Sequence, residues 1–173
     1  MCLNRELSDQ LASKMYVDPG DDDFGECFFN ARRSLFRLDR LGQLDGEARY
    51  AEGYTVFLSY RIGPEPLHAI SLHGWVEMGR KVVDTTYASY GRYHAAYFPV
   101  LHFTVDEIYQ RLKVGLPHGY RSAFGSVFTT KGISRGYLNA WEYVIDNFPQ
   151  EVTSDELDHV NELRKRLTTI SDN

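Results

Sequence analysis

Residues 68–87 read as two extended runs meeting at Met78-Gly79, and this hairpin constrains the fold more than any other feature of the chain. Both runs are rich in β-branched and aromatic residues, and Gly79 accepts the positive φ of a tight turn. Folding back so that residue 77 faces residue 80 sets His73 opposite Asp84 and Trp75 opposite Val82. Directly opposed Cβ atoms of an antiparallel pair stand about 4.5–5.5 Å apart, which lets a carboxylate hold an imidazole. A slip of one residue separates the two onto opposite faces. In the expected register His73, Trp75, Val82 and Asp84 share one face, turned towards the helix that carries Cys27. Gly74, Val76 and Val83 share the other.

The rest of the chain supplies one α+β unit. Leu7, Leu11 and Met15 give residues 5–15 helical spacing. Pro19-Gly20-Asp21-Asp22-Asp23 then breaks the chain and offers an N-cap. Cys27, Ala31, Leu35 and Leu38 mark a helix over about Phe24 to Leu41, with Gly42 as its stop. Tyr50 to Tyr60 reads as a strand, Gly63-Pro64-Glu65-Pro66 as a loop, and Tyr97 to Phe103 as a further short strand. Three helices follow: Val105 to Val114 after Thr104, Ser134 to Phe148 stopped by Pro149, and Ser154 to Leu167 capped by Ser154. In the last of these Glu162 stands four residues before Arg166, at ion-pairing spacing. The 173 residues suit one domain, with a core over 24–103 and a helical extension over 104–173.

Cys27 falls in the first turn of its predicted helix. There the unpartnered amides and the macrodipole stabilise a thiolate, and its own amide is a candidate oxyanion donor. Asp21, Asp22, Asp23 and Glu26 oppose that effect, so a nearby imidazolium is required. Cysteine, histidine and aspartate in the order Cys27, His73, Asp84 supply a nucleophile, a general base and an orienting carboxylate. The bland alternative for Cys27 is a buried structural thiol, and for Trp75 it is simple core packing. Asn30, one turn after Cys27, is within reach of the site, but a helix-surface amide is its default reading.

Other classes are poorly supported. A net charge of -5 gives no basic footprint for nucleic acid, and Arg32, Arg33 and Arg37 read as a solvated helix face. No run approaches the roughly 18 apolar residues of a membrane span, and Met1 to Lys14 lacks a secretory h-region. Two cysteines make no disulfide framework, and Cys2 is expected on a mobile terminus, so a reducing cytoplasm fits. His68 and His73 fall on opposite faces of a strand, and His94, His102, His118 and His159 are scattered. No metal or other cofactor is expected. Cys2 as an N-terminal nucleophile is a weak rival, because Leu3-Asn4-Arg5 lacks the glycine and strand character of such sites.

Taken together, Gly25-x-Cys27 with Ala31, Gly53-Tyr54, His73-x-Trp75-x-Glu77 and Asp84-Thr85-Thr86 resemble the core of the transglutaminase-like branch of papain-fold proteins. The resemblance covers residues 24–103. It implies a nucleophile helix packed on a small antiparallel sheet, with Cys27 as nucleophile, His73 as general base and acid, and Asp84 as orienting carboxylate. It leaves the helical tail unexplained. Papain-like peptidases carry a glutamine oxyanion donor several residues before the cysteine, where this chain has Asp21-Asp22-Asp23. The expectation is a thiol hydrolase of the peptidase, amidase or deamidase type, acting on a peptide, protein or small amide. Hydrolysis is expected ahead of transglutaminase cross-linking. The alternative is a catalytically weak or inactive binding module on the same fold that interacts with another protein.

Overall fold

A computed structural model describes residues 1–14, 26–44, 46–59, 67–86, 94–113 and 130–171. The expected Asp21-Asp22-Asp23 cap, Phe24 and Gly25, the Gly63–Pro66 loop and His118 lie outside them. Among the described residues the chain is α+β. It has strands β1 (Cys2–Leu3), β2 (Arg49–Ser59), β3 (Leu67–Met78), β4 (Lys81–Val83) and β5 (His94–Phe103). Its helices are α1 (Arg5–Lys14), α2 (Glu26–Arg40), α3 (Val105–Lys113), α4 (Thr130–Asn147) and α5 (Ser154–Ser171). The strands form one sheet in the order β1-β4-β3-β2-β5. β1 runs parallel to β4, and every other pairing is antiparallel. No helix among the described residues is long and apolar enough to cross a membrane.

The hairpin exists, but its register differs from the expected one. Met78 pairs with Lys81, Glu77 with Val82 and Val76 with Val83. The two-residue loop is Gly79-Arg80, with Gly79 at φ 58° in the first loop position, where the favoured hairpin turns require a positive φ. Relative to the expected pairing, β4 has moved by two residues. A shift of two keeps each side chain on its face. The expected strand over 80–87 also shortens to three residues, because Asp84 leaves the sheet and Thr85-Thr86 turn helical.

The cover of the two faces also departs from expectation. Ala31, Leu35 and Leu38 of α2 pack with Leu11 of α1, Ile108 of α3, and Tyr50, Val76, Val83 and Phe103 of the sheet. On the same face Leu138, Ala140, Trp141 and Val144 of α4 join Val56, and Val160 and Leu167 of α5 back them. So α2 covers the Gly74 and Val76 face, not the His73 and Trp75 face. The other face holds a separate cluster of Ala51, Trp75, Val82 and Tyr97. Arg32 also departs from the solvated-face expectation: it is buried.

Helix ends follow local chemistry. The α2 helix stops at Gly42, φ 62°, where the Gly42 amide donates to Asp39 O and the Gln43 amide to Leu38 O. This paired closure is the Schellman motif. Thr104 and Glu107 form a reciprocal capping box before α3. The α5 cap is Thr153 rather than Ser154. The Thr153 amide donates to Glu156 Oε2 at 2.8 Å, and the Glu156 amide donates back to Thr153 Oγ1 at 3.3 Å. Glu162 pairs with Lys165 at 2.9 Å, not with Arg166. The N-terminus is held, since Cys2 and Leu3 pair with Lys81 and Val82; strand character absent from the sequence reading is present there.

Replacing Thr153 with alanine is expected to cost about 1 kcal/mol of stability, and Ser154→Ala only a few tenths. Urea denaturation of the two variants checks the assignment, and equal losses would contradict it.

Candidate active site

The site is organised around Asp84, a carboxylate 2 % exposed at the point where the chain leaves β4. Its Oδ2 lies 2.7 Å from His73 Nε2. The Tyr97 hydroxyl donates to the same oxygen at 3.0 Å, and the Thr86 amide donates to Oδ1 at 3.1 Å. The backbone of Asp84 is fixed as well, its amide donating to Ser8 Oγ at 3.0 Å while the Ser8 hydroxyl donates to Asn4 O at 2.7 Å. Burying a carboxylate is costly unless its lone pairs are satisfied. Here donors from three parts of the chain meet it.

His73 and Asp84 meet although they are not opposed in register. Extending the observed pairing one step beyond Val83 would place Asp84 against Trp75, one diagonal step from His73. Diagonal neighbours on one face remain within reach of longer side chains. His73 is 3 % exposed and its ring stacks on Trp75, with centroids 6.3 Å apart and planes at 21°. Trp75 is buried, so core packing and contact with the imidazole are both part of its role. Its indole N–H donates to Glu77 Oε1 at 3.1 Å, and Glu77 Oε2 lies 2.9 Å from His102 Nε2.

Cys27 arrives from the opposite face. It is the second residue of α2 and is buried, and Phe28 beside it rests on β3 at Gly74. A Cβ added to Gly74 would stand 2.9 Å from Phe28 Cδ1 and 3.2 Å from both Phe28 Cα and Tyr50 Oη. The missing side chain therefore lets the first turn of α2 meet the strand one residue from His73. Two hydrogen bonds tie α2 to the segment after Asp84: Asn30 Nδ2 donates to Thr86 Oγ1 at 3.4 Å, and the Ser34 and Thr85 hydroxyls lie 3.1 Å apart. Asn30, expected on the helix surface, is buried.

Under this turn the Tyr50 hydroxyl donates to Glu52 Oε1 at 2.6 Å, and both residues are fully buried. Burial, and then the adjacent Glu52 charge, hold the Tyr50 phenol protonated well above its ordinary range. It remains a hydrogen-bond donor. Among the described residues no three or more His, Cys, Asp or Glu side chains gather in a group able to hold a metal ion.

No family model, curated protein or solved structure matches the chain. A buried imidazole held by a carboxylate through Nε2 has its tautomer and ring plane set by that bond. Such an imidazole can exchange a proton through Nδ1. Cys27 lies in the first turn of the helix that meets the strand beside it.

Sequence reading missed Tyr97 and His102 as neighbours of the site, and Ser8 as the support of Asp84. A signal existed for Glu77, two residues from Trp75 on one strand and so on its face. Tyr97 gave none, because β5 reaches this face only through the non-sequential strand order.

Gly74→Ala is expected to lower stability by about 1–3 kcal/mol, since Phe28 backbone and side chain both obstruct a methyl group. Denaturant titration measures this, and an unchanged midpoint would show that the close approach is not a constraint.

Proposed function

We propose that the protein is a cysteine-dependent acyl-transfer enzyme that hydrolyses an amide or peptide bond, with Cys27 as nucleophile, His73 as general base and acid, and Asp84 as orienting carboxylate. The observation that carries this reading is the buried 2.7 Å His73–Asp84 hydrogen bond, one residue from the point where the Cys27 turn meets β3. The four motifs that resemble the transglutaminase-like branch of papain-fold proteins point the same way.

The Cys27 thiol passes its proton to His73 Nδ1 as sulfur attacks the acyl carbon. The tetrahedral intermediate collapses when His73 gives that proton to the leaving nitrogen, and the amine departs. Water, deprotonated by His73, then attacks the thioester. The acid leaves and the proton returns to sulfur. Asp84 keeps the ring oriented and stabilises the imidazolium at each stage. Peptidase, amidase and deamidase reactions share these steps; transfer to an amine requires an acceptor site beyond them. A reducing cytoplasm suits a reaction that depends on a thiol.

A second reading, a binding module on the same architecture that engages another protein, is favoured by the burial of Cys27, 6 % exposed. Thiol reactivity and turnover separate the two. On a panel of fluorogenic peptide and acyl amides, Cys27→Ala is expected to abolish turnover and Cys2→Ser to leave it intact. Asp84→Asn is expected to lower kcat by about 10⁴-fold, the size of loss seen when an orienting carboxylate is replaced. A fully active Cys27→Ala enzyme would overturn the proposal. Iodoacetamide reacting with Cys27 no faster than with an ordinary thiol would favour the binding module.

A further inference from the structure

Among the described residues, His73 and Tyr97 both hydrogen-bond to Asp84 Oδ2, and of the two His73 alone belongs to the proposed machinery. Tyr97 lies on β5, and in the strand order β3 and β2 lie between β5 and β4. The phenol has to cross β2 to reach Asp84, and on that face β2 carries the small residues Ala51 and Gly53. Its ring is steadied edge-on against Trp75, with centroids 5.1 Å apart, and it is buried. A tyrosine used only for packing does not need its hydroxyl on the very oxygen that holds the imidazole.

We propose that Tyr97 is a positioning residue that acts through Asp84: by donating to Oδ2 it draws off part of the carboxylate charge that His73 feels, and so limits how firmly the imidazolium is held. The inference rests on the Cys27–His73–Asp84 reading. It adds a regulator of the proton balance between base and nucleophile. A donor on a carboxylate oxygen disperses its charge, and an imidazolium on that oxygen is then stabilised less. Too firmly held, the imidazolium would be slow to protonate the leaving group. Among the described residues, Glu77 with His102 bears on His73 through Trp75, and the proposed function adds Cys27 from α2. Tyr50, Glu52 and Arg32 lie on or against the opposite face.

The test is the titration of His73, followed by NMR in full-length protein labelled with 13C-histidine, its signal assigned by absence in His73→Gln. Tyr97→Phe keeps the ring and its packing. It is expected to move the His73 midpoint upward by about half a unit, a threefold change in the ratio of imidazolium to imidazole at fixed pH. Difluorotyrosine at position 97, a stronger donor, is expected to move it down. An unchanged midpoint in both proteins, or movement in the same direction, would overturn the role of Tyr97. Cys27→Ser tests the underlying reading separately: loss of a thiolate partner is expected to lower the midpoint. A midpoint indifferent to Cys27 but responsive to Tyr97 would remove the Cys27–His73 pair while leaving the Tyr97–Asp84 coupling in place.

Discussion

The folded site depends on satisfying one buried carboxylate. An ion taken out of water costs several kcal/mol even after relaxation, so Asp84 is tolerable only with donors aimed at both oxygens. Those donors come from β3, β5 and the turn after β4, and α1 holds the adjoining amide through Ser8. The requirement accounts for the shortness of β4. Had the strand continued past Val83, the Thr86 amide would have entered the ladder and could not have closed back on Oδ1. It also gives the N-terminal segment a purpose, since β1 on β4 brings Asn4 and Ser8 to the edge where Asp84 emerges.

Much of this was legible in the sequence, and the errors are informative. The Cys27 helix, the hairpin strand over 68–78 and the three C-terminal helices follow from periodicity and end signals. The register does not. A two-residue shift leaves hydrophobic alternation unchanged, so Val82 and Val83 stay on the same faces under either pairing. Only the turn distinguishes them. Glycine belongs at a loop position with positive φ, and placing Gly79 first in a Gly79-Arg80 loop selects the observed pairing. The pairing of His73 with Asp84 survived the error because both registers keep the two on one face, and a diagonal contact was enough.

The face chosen by α2 shows a different limit. Alternation divides the hairpin into two sets but does not say which set a helix covers. The deciding residue is Gly74. A helix packs closest where a strand offers no side chain, and Gly74 provides that place between the apolar Val76 and the buried Tyr50. Tyr97 and His102 were beyond local reading for a related reason. They reach the site from β5, at the far edge of the sheet, and strand order is a long-range property.

The placement of the chemistry on regular elements has a consequence for how the site is tuned. His73, Trp75 and Glu77 occupy alternate positions of one strand, so their spacing is set by the pleat rather than by a loop. Glu77 holds the Trp75 indole on one oxygen and meets His102 on the other, which links the half-exposed end of the sheet to the ring stacked on His73. His73, Asp84 and Tyr97 therefore form one hydrogen-bonded framework at the sheet, while Cys27 belongs to a helix on the other face. The approach of Cys27 to β3 is then governed by a helix-to-sheet contact, Phe28 on Gly74, and the surroundings of His73 by contacts on the sheet's other face. The two properties rest on different residues, so each can change without the other.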